Sequence, residues 1–176
     1  MRPLVRGALA SLCLLAAGCA GGRPVLVASP LVGKPAEVAA PNLSGEEVRV
    51  SDARGTVRVV DFWATWCEPC RDQLPALDRL SRAYVERGLR VYAVAMDEDR
   101  SLVQAYLAGT PVAFEVLWDK GGTRHGERLD VQRLPTTLVL DRAGTVRFVH
   151  QGYVPRNAEL LEEEVQALLA EPVPGS

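Results

Sequence analysis

The 176-residue chain contains no basic run, no internal repeat, no glycine-rich phosphate loop and no dinucleotide fingerprint. These absences exclude a nucleic-acid surface, a solenoid and a bound nucleotide as organising features, and no cofactor is expected. No long hydrophobic run is present either: the apolar segment Gly7 to Ala17 counts 11 residues, where a membrane-spanning helix needs about 20. Cysteine, histidine and methionine number only four, two and two. A structural zinc site takes four ligands, and beyond residue 19 only Cys67, Cys70, His125 and His150 are on offer. Soft copper ligation would gain from methionine, yet past the first residue only Met96 remains, in an expected core strand.

Arg2 and Arg6 precede the apolar segment, and Gly18-Cys19 follows it. That order fits a signal peptide over 1–18. Without Arg2 and Arg6 the formal balance is 18 minus 22, or minus 4. Cys13 would leave with the signal, so the mature chain would have one redox pair and no structural disulfide. Residues 19–36, rich in Gly, Pro, Ala and Val without periodicity, read as a flexible tether. A single domain over 37–172 and a short tail over 173–176 complete the expected organisation.

The chain is organised around Val59-Val60-Asp61-Phe62-Trp63-Ala64-Thr65-Trp66-Cys67-Glu68-Pro69-Cys70. Its first part is a short apolar run rich in β-branched and aromatic residues, which predicts a strand buried on both faces. After Cys70, the residues Leu74, Leu77, Leu80 and Tyr84 recur at steps of three and four, predicting a helix that Gly88 stops. Cys67 therefore falls where strand hands over to helix, and the helix's unpaired N–H groups and positive dipole end can hold a thiolate there. Cys70, one turn further in, would attack second and resolve a mixed disulfide. A C-x-x-C pair can also be half of a metal site, but the strand before it, Pro69 within it and the helix after it favour redox chemistry.

The run Asp61 to Cys70, followed by Pro75, resembles the TlpA/ResA-like family of membrane-tethered extracytoplasmic thioredoxin-fold reductases, and the resemblance extends over roughly residues 40–170. It implies a thioredoxin-like α/β fold, a mixed central sheet flanked by helices. Leu134-Pro135-Thr136-Thr137 matches the family's cis-proline loop, which implies a cis Pro135 facing the cysteines and a Leu134 backbone able to pair with an extended substrate. Family members often have Asn at the position of Asp61 and Glu at that of Gln73, so the acid is displaced in this chain. A carboxylate buried beneath Cys70 would have a raised pKa and could take that thiol's proton, a role expected of Asp61; the alternative is a strand-end Asp satisfied by water or an amide. Gln73 cannot titrate.

Trp66, Glu68 and Pro69 are the expected substrate-side residues beside the nucleophile, with Trp66 an apolar platform and Trp63 part of the core. Glu68 puts a negative charge next to Cys67, which disfavours its thiolate and makes the pair more reducing. Leu15-Ala16-Ala17-Gly18-Cys19 resembles a lipobox with Ala16 where Leu is usual, implying a lipid on Cys19; an ordinary signal peptide with a free Cys19 is the alternative. The resemblance then implies a monomer anchored by lipid in the bacterial cell envelope. It would reduce protein disulfides, among them those of apocytochrome c haem-attachment sites, and be re-reduced by a membrane thiol donor. An oxidant or isomerase of the same fold, or a copper-binding envelope module without turnover, stays open. A peroxidase would need an Arg and a Thr around a lone attacking cysteine, a pattern absent here.

Elsewhere, Glu47–Val50 and Val57–Phe62 suggest an N-terminal hairpin, and Leu89–Met96 a buried strand. Asp97-Glu98-Asp99 reads as a solvated turn opening a helix that faces Leu102, Val103 and Tyr106 inward. Val112–Trp118 is a short strand or packed loop, and Asp119–Asp130 an exposed segment with an exposed His125. Thr136–Asp141 and Thr145–Gln151 are strands joined by a turn, with a structural His150, and Asn157 is the expected cap of the last helix.

Overall fold

The computed structural model describes residues 29–173. The signal segment, Cys19, the tether up to residue 28 and the end of the tail lie outside the described residues. In chain order the elements are β1 (Ala39–Pro41), β2 (Glu47–Arg49), β3 (Val57–Trp63), α1 (Glu68–Tyr84), β4 (Leu89–Ala95), α2 (Arg100–Gly109), β5 (Glu115–Trp118), β6 (Thr136–Leu140), β7 (Val146–Gln151) and α3 (Arg156–Ala170). No helix among the described residues is long and apolar enough to cross a membrane.

Five strands form one mixed sheet in the order β5-β4-β3-β6-β7. The pairs β3–β4 and β4–β5 are parallel, and β3–β6 and β6–β7 antiparallel. The chain moves in one direction from β3 to β4 to β5, so two right-handed crossovers put α1 and α2 on the same face. The side-chain clusters agree. Val57, Val59 and Trp63 of β3 pack with Leu74 and Leu77 of α1, Val103 of α2 and Leu161, Val165 and Leu168 of α3. The even positions Val60 and Phe62 point to the opposite face, against Ala36, Val38, Ala40, Val50 and Leu129. The central position of β3, with strands on both edges and layers on both faces, accounts for the burial of all seven of its residues.

The helix after Cys70 forms as expected and gives way to a single 3₁₀ turn, Val85–Arg87, before Gly88 adopts the left-handed conformation at φ 95°. The 136–151 hairpin is also as expected. The N-terminal hairpin differs: β2 pairs with β1, not with β3, whose edges are taken by β4 and β6. Asn42 closes its turn, with Oδ1 accepting from Ser44 N and Glu46 N at 3.0 Å each.

The last residues assigned to the tether are docked. Gly33 N donates to Val146 O at 2.9 Å, Val146 N donates to Lys34 O at 2.9 Å, and Ala36 is buried. Leu102 is 53% exposed rather than inward, because Val103 and Tyr106 already fill the space over Trp63. Asn157 does not cap α3: Pro155, already helical at φ −51°, precedes the helix, and Asn157 Nδ2 donates back to Gly152 O at 3.1 Å. His125 is buried, not exposed. The 119–131 segment folds over the second sheet face, where Asp119 Oδ2 takes His125 Nδ1 at 2.9 Å and His125 Nε2 accepts from Ala39 N at 3.3 Å. The lone pair on Nε2 puts the ring proton on Nδ1, so the pair fastens the hairpin to this segment.

Candidate active site

Where β3 ends, Ala64-Thr65-Trp66 turn the chain into α1, with Cys67 N donating to Ala64 O at 3.1 Å. Cys67 is the residue that caps α1, and its Sγ accepts from Cys70 N at 3.3 Å. Sulfur here takes the place that a serine or aspartate oxygen usually occupies, so the helix's first-turn amides face Cys67 Sγ and would stabilise negative charge on it. Glu68 and Pro69 occupy the first two helical positions, where a missing N–H costs nothing. Cys67 and Cys70 are joined by a disulfide, with Cys67 6% exposed and Cys70 fully buried. That asymmetry leaves only the Cys67 sulfur open to approach from outside.

The Leu134–Pro135 peptide is cis. Leu134, Arg133 and Gln132 form one wall of an open groove of about 580 Å³, and Trp66, Cys67, Glu68 and Pro69 form the other. Trp66 is 70% exposed beside this groove, whereas Trp63 is fully buried in the core.

Asp61 lies on the helix-facing side of β3, together with Val59 and Trp63. It is fully buried. Its Oδ1 accepts from Gln73 Nε2 at 3.0 Å and from Thr137 Oγ1 at 2.7 Å, while Oδ2 has no hydrogen-bond partner among the described residues. Desolvation pushes its pKa up to about 7, against the opposing pull of the Thr137 and Gln73 hydrogen bonds. Gln73 stands one turn beyond Cys70 on α1, so the residue that cannot titrate supplies a donor to the one that can.

Asp97, expected in a solvated turn, is 1% exposed. Its carboxylate accepts from Thr65 N at 3.2 and 3.1 Å and from Thr65 Oγ1 at 2.5 Å. It thereby anchors the loop two residues before Cys67. The acidic cluster read as a helix start because Asp99 does cap α2, taking Ser101 N at 2.8 Å. The signal for Asp97 was its place just past the end of a strand parallel to β3, the edge of an α/β sheet where sites collect. In the sequence Thr137 belongs to the proline loop alone; its register opposite Asp61 appears only once β6 pairs with β3.

A helix-capping cysteine disulfide-bonded to a buried partner, beside a cis-proline loop on a mixed sheet, defines the chain as a thioredoxin-fold dithiol protein. Its residues 32–149 match the AhpC/TSA family, and the chain belongs to that family. The expected ResA-like kinship is borne out. The chain is 35% identical over 113 residues to thioredoxin-like protein YneN of Bacillus subtilis, spanning 62% of this chain and 65% of that protein, just under two thirds of it. It is 31% identical over 127 residues to thiol-disulfide oxidoreductase ResA of Bacillus thuringiensis subsp. konkukian, covering 72% of each. Among solved structures, one named for the thiol:disulfide interchange protein DsbE of Chlorobium tepidum is similar with a TM-score of 0.74 and 33% identity, over 79% of this chain and 97% of that one.

Proposed function

We propose that this chain is an extracytoplasmic thiol-disulfide oxidoreductase that reduces protein disulfides. The observation that carries the reading is Cys67 Sγ at the cap of α1, accepting a backbone N–H and bordering an open groove, with Cys70 buried behind it. In the reduced form the Cys67 thiolate attacks one sulfur of a substrate disulfide. A Cys67–substrate S–S bond forms, and the other substrate sulfur leaves as a thiolate. Asp61 then takes the Cys70 thiol proton, and Cys70 attacks Cys67 Sγ. The Cys67–Cys70 bond forms, the mixed disulfide breaks, and the second substrate thiolate departs. The substrate has gained two electrons and the pair has lost them.

The Leu134 backbone beside cis-Pro135 pairs with the extended substrate segment, and Trp66 covers its apolar side chains. Pro69 restrains the turn, and Glu68 favours a reducing pair. A membrane thiol donor returns the electrons, a lipid on Cys19 keeps the monomer at the periplasmic side of the envelope, and apocytochrome c is among the substrates.

The test is the reduction potential of the Cys67–Cys70 pair, followed by tryptophan fluorescence in a defined thiol buffer. A value near or below about −270 mV is expected for a reductase, whereas one near about −120 mV would overturn the direction and make the protein an oxidant. The absence of any reversible two-electron transition would overturn the redox assignment itself.

A further inference from the structure

Resting on the reading of Asp61 as the base, we propose that a polar row across the sheet, Asp61–Thr137–His150–Glu164, with the cavity beside it, is the route by which the proton taken from Cys70 leaves the protein. A base fully buried between sheet and helix can act once; to act again it must pass its proton on. The hydrogen bonds of Asp61 run away from the groove, into β6 and α1.

The register supplies the row. Asp61 on β3 stands opposite Thr137 on β6, and Thr137 stands opposite His150 on β7. Cross-strand partners share a face, so all three lie on the helix side of the sheet. Thr137 Oγ1 donates to Asp61 Oδ1 at 2.7 Å and accepts from Gln73 Nε2 at 2.8 Å. At the far end His150 Nε2 meets Glu164 Oε2 of α3 at 2.7 Å, both groups partly exposed.

A cavity of about 460 Å³ between α1, α3 and the sheet is lined by Gln73, Thr137 and His150 at once. It is roomy enough for several waters at about 30 Å³ each, and its Thr137, Gln73 and His150 atoms give them polar partners. The titratable groups around its outer part are Arg79 and Tyr84 from α1, Arg87 over the Tyr84 ring at 5.1 Å, Tyr153 from the loop after β7, and Glu159, Glu162 and Glu164 from α3. The three carboxylates outnumber the two guanidinium groups, so the field at that end draws a proton outward.

The step balances. Once Asp61 is protonated, the Thr137 hydroxyl turns from Asp61 to a cavity water, so that Thr137 Oγ1 accepts the Asp61 proton as it gives its own to that water. The water passes a proton to His150, and His150 through Glu164 releases one to bulk solvent. Asp61 returns to a carboxylate, and no electrons move.

The experiment uses the reduced full chain with Cys13 and Cys19 replaced by Ser, so that Cys67 and Cys70 are its only thiols, and the aromatic disulfide dithiobis(nitrobenzoate) at a pH above 7, in weak buffer with a pH indicator. Stopped flow follows two signals together: the second nitrothiolate, released when Cys70 resolves the mixed disulfide, and the proton reaching bulk. In the parent the two are expected to coincide. In His150→Gln the proton is expected to lag the second nitrothiolate by about tenfold, less than the roughly hundredfold that marks the lower end of what a positioned proton-transfer group contributes. Added imidazole, which can carry protons in the emptied site, is expected to abolish the lag, while an equal concentration of a non-titrating solute is not. A lag of purely structural origin would ignore imidazole and would overturn the route, as would no lag at all. Asp61→Asn separates the two ideas: if it leaves the second nitrothiolate as fast as in the parent, the base assignment falls. If it slows that release and His150→Gln produces no lag, only the route falls.

Discussion

Replacing Asp61 by Asn should remove the residue's effect on how stability changes with pH. In the unfolded chain an aspartate titrates near 3.9, whereas burial pushes Asp61 up to about 7 in the fold. Between about pH 4 and pH 7 the native state therefore keeps a proton that the unfolded chain has released, so the stability of the native state falls as pH rises through that window. Three units at 1.36 kcal/mol each amount to about 4 kcal/mol, fully lost only above pH 7. The substituted amide carries no charge and escapes this loss. Against that, its Nδ2 would sit where Oδ2 has no partner, and a buried donor without an acceptor costs about 1–3 kcal/mol. Near pH 4 the parent should be the more stable by that amount, and at pH 8 the variant by about 1–3 kcal/mol. The assay is urea unfolding of both oxidised proteins at matched ionic strength. The other carboxylates titrate alike in the two and cancel, leaving a swing of about 4 kcal/mol in favour of Asp61→Asn from pH 4 to pH 8. A gap that stays constant within about 1 kcal/mol across the range would refute the raised pKa and, with it, the argument that burial prepares this carboxyl as a base.

Cys70→Ser should accumulate a mixed disulfide between Cys67 and its protein substrates, seen as a reducible adduct on non-reducing gels; recovery of none from envelope extracts would weigh against turnover. Asp97→Ala removes the acceptor for Thr65 N and Oγ1, and with a partly buried N–H left unpaired it should cost about 1 kcal/mol in urea melts. It should also slow attack by Cys67, whereas parental values for both would mean that the turn before Cys67 holds itself. Glu68→Gln should raise the reduction potential by about 5–20 mV at low salt, fading as ionic strength grows, because a removed surface charge favours the thiolate weakly. A potential that falls instead would reverse the role argued for Glu68.

Much of the site was legible before any folding, because its signals are local. An apolar β-branched run, a C-x-x-C and a three-four periodicity lie next to one another in the chain, and their order alone puts Cys67 at a helix start. Asp61 drew notice by standing polar in that run. The partners that make it unusual did not, since Gln73 and Thr137 lie 12 and 76 residues away. The burial of Asp97 and His125 was hidden from the sequence for the same reason. An acidic or histidine-bearing polar stretch is solvated by default, and only the neighbouring Thr65 N–H or the Asp119–Ala39 bracket makes burial tolerable.

What the sequence by itself determined was the catalytic strand, the helix that follows it, the paired cysteines and the later hairpin, all products of short-range pattern and turn chemistry. What only the tertiary structure decided was which strand each edge of β3 would take and what faces the buried carboxyl. Strand pairing is a competition among distant segments for the same backbone groups. Its outcome moved the N-terminal hairpin away from β3, brought Thr137 opposite Asp61, and set His150 in line behind them.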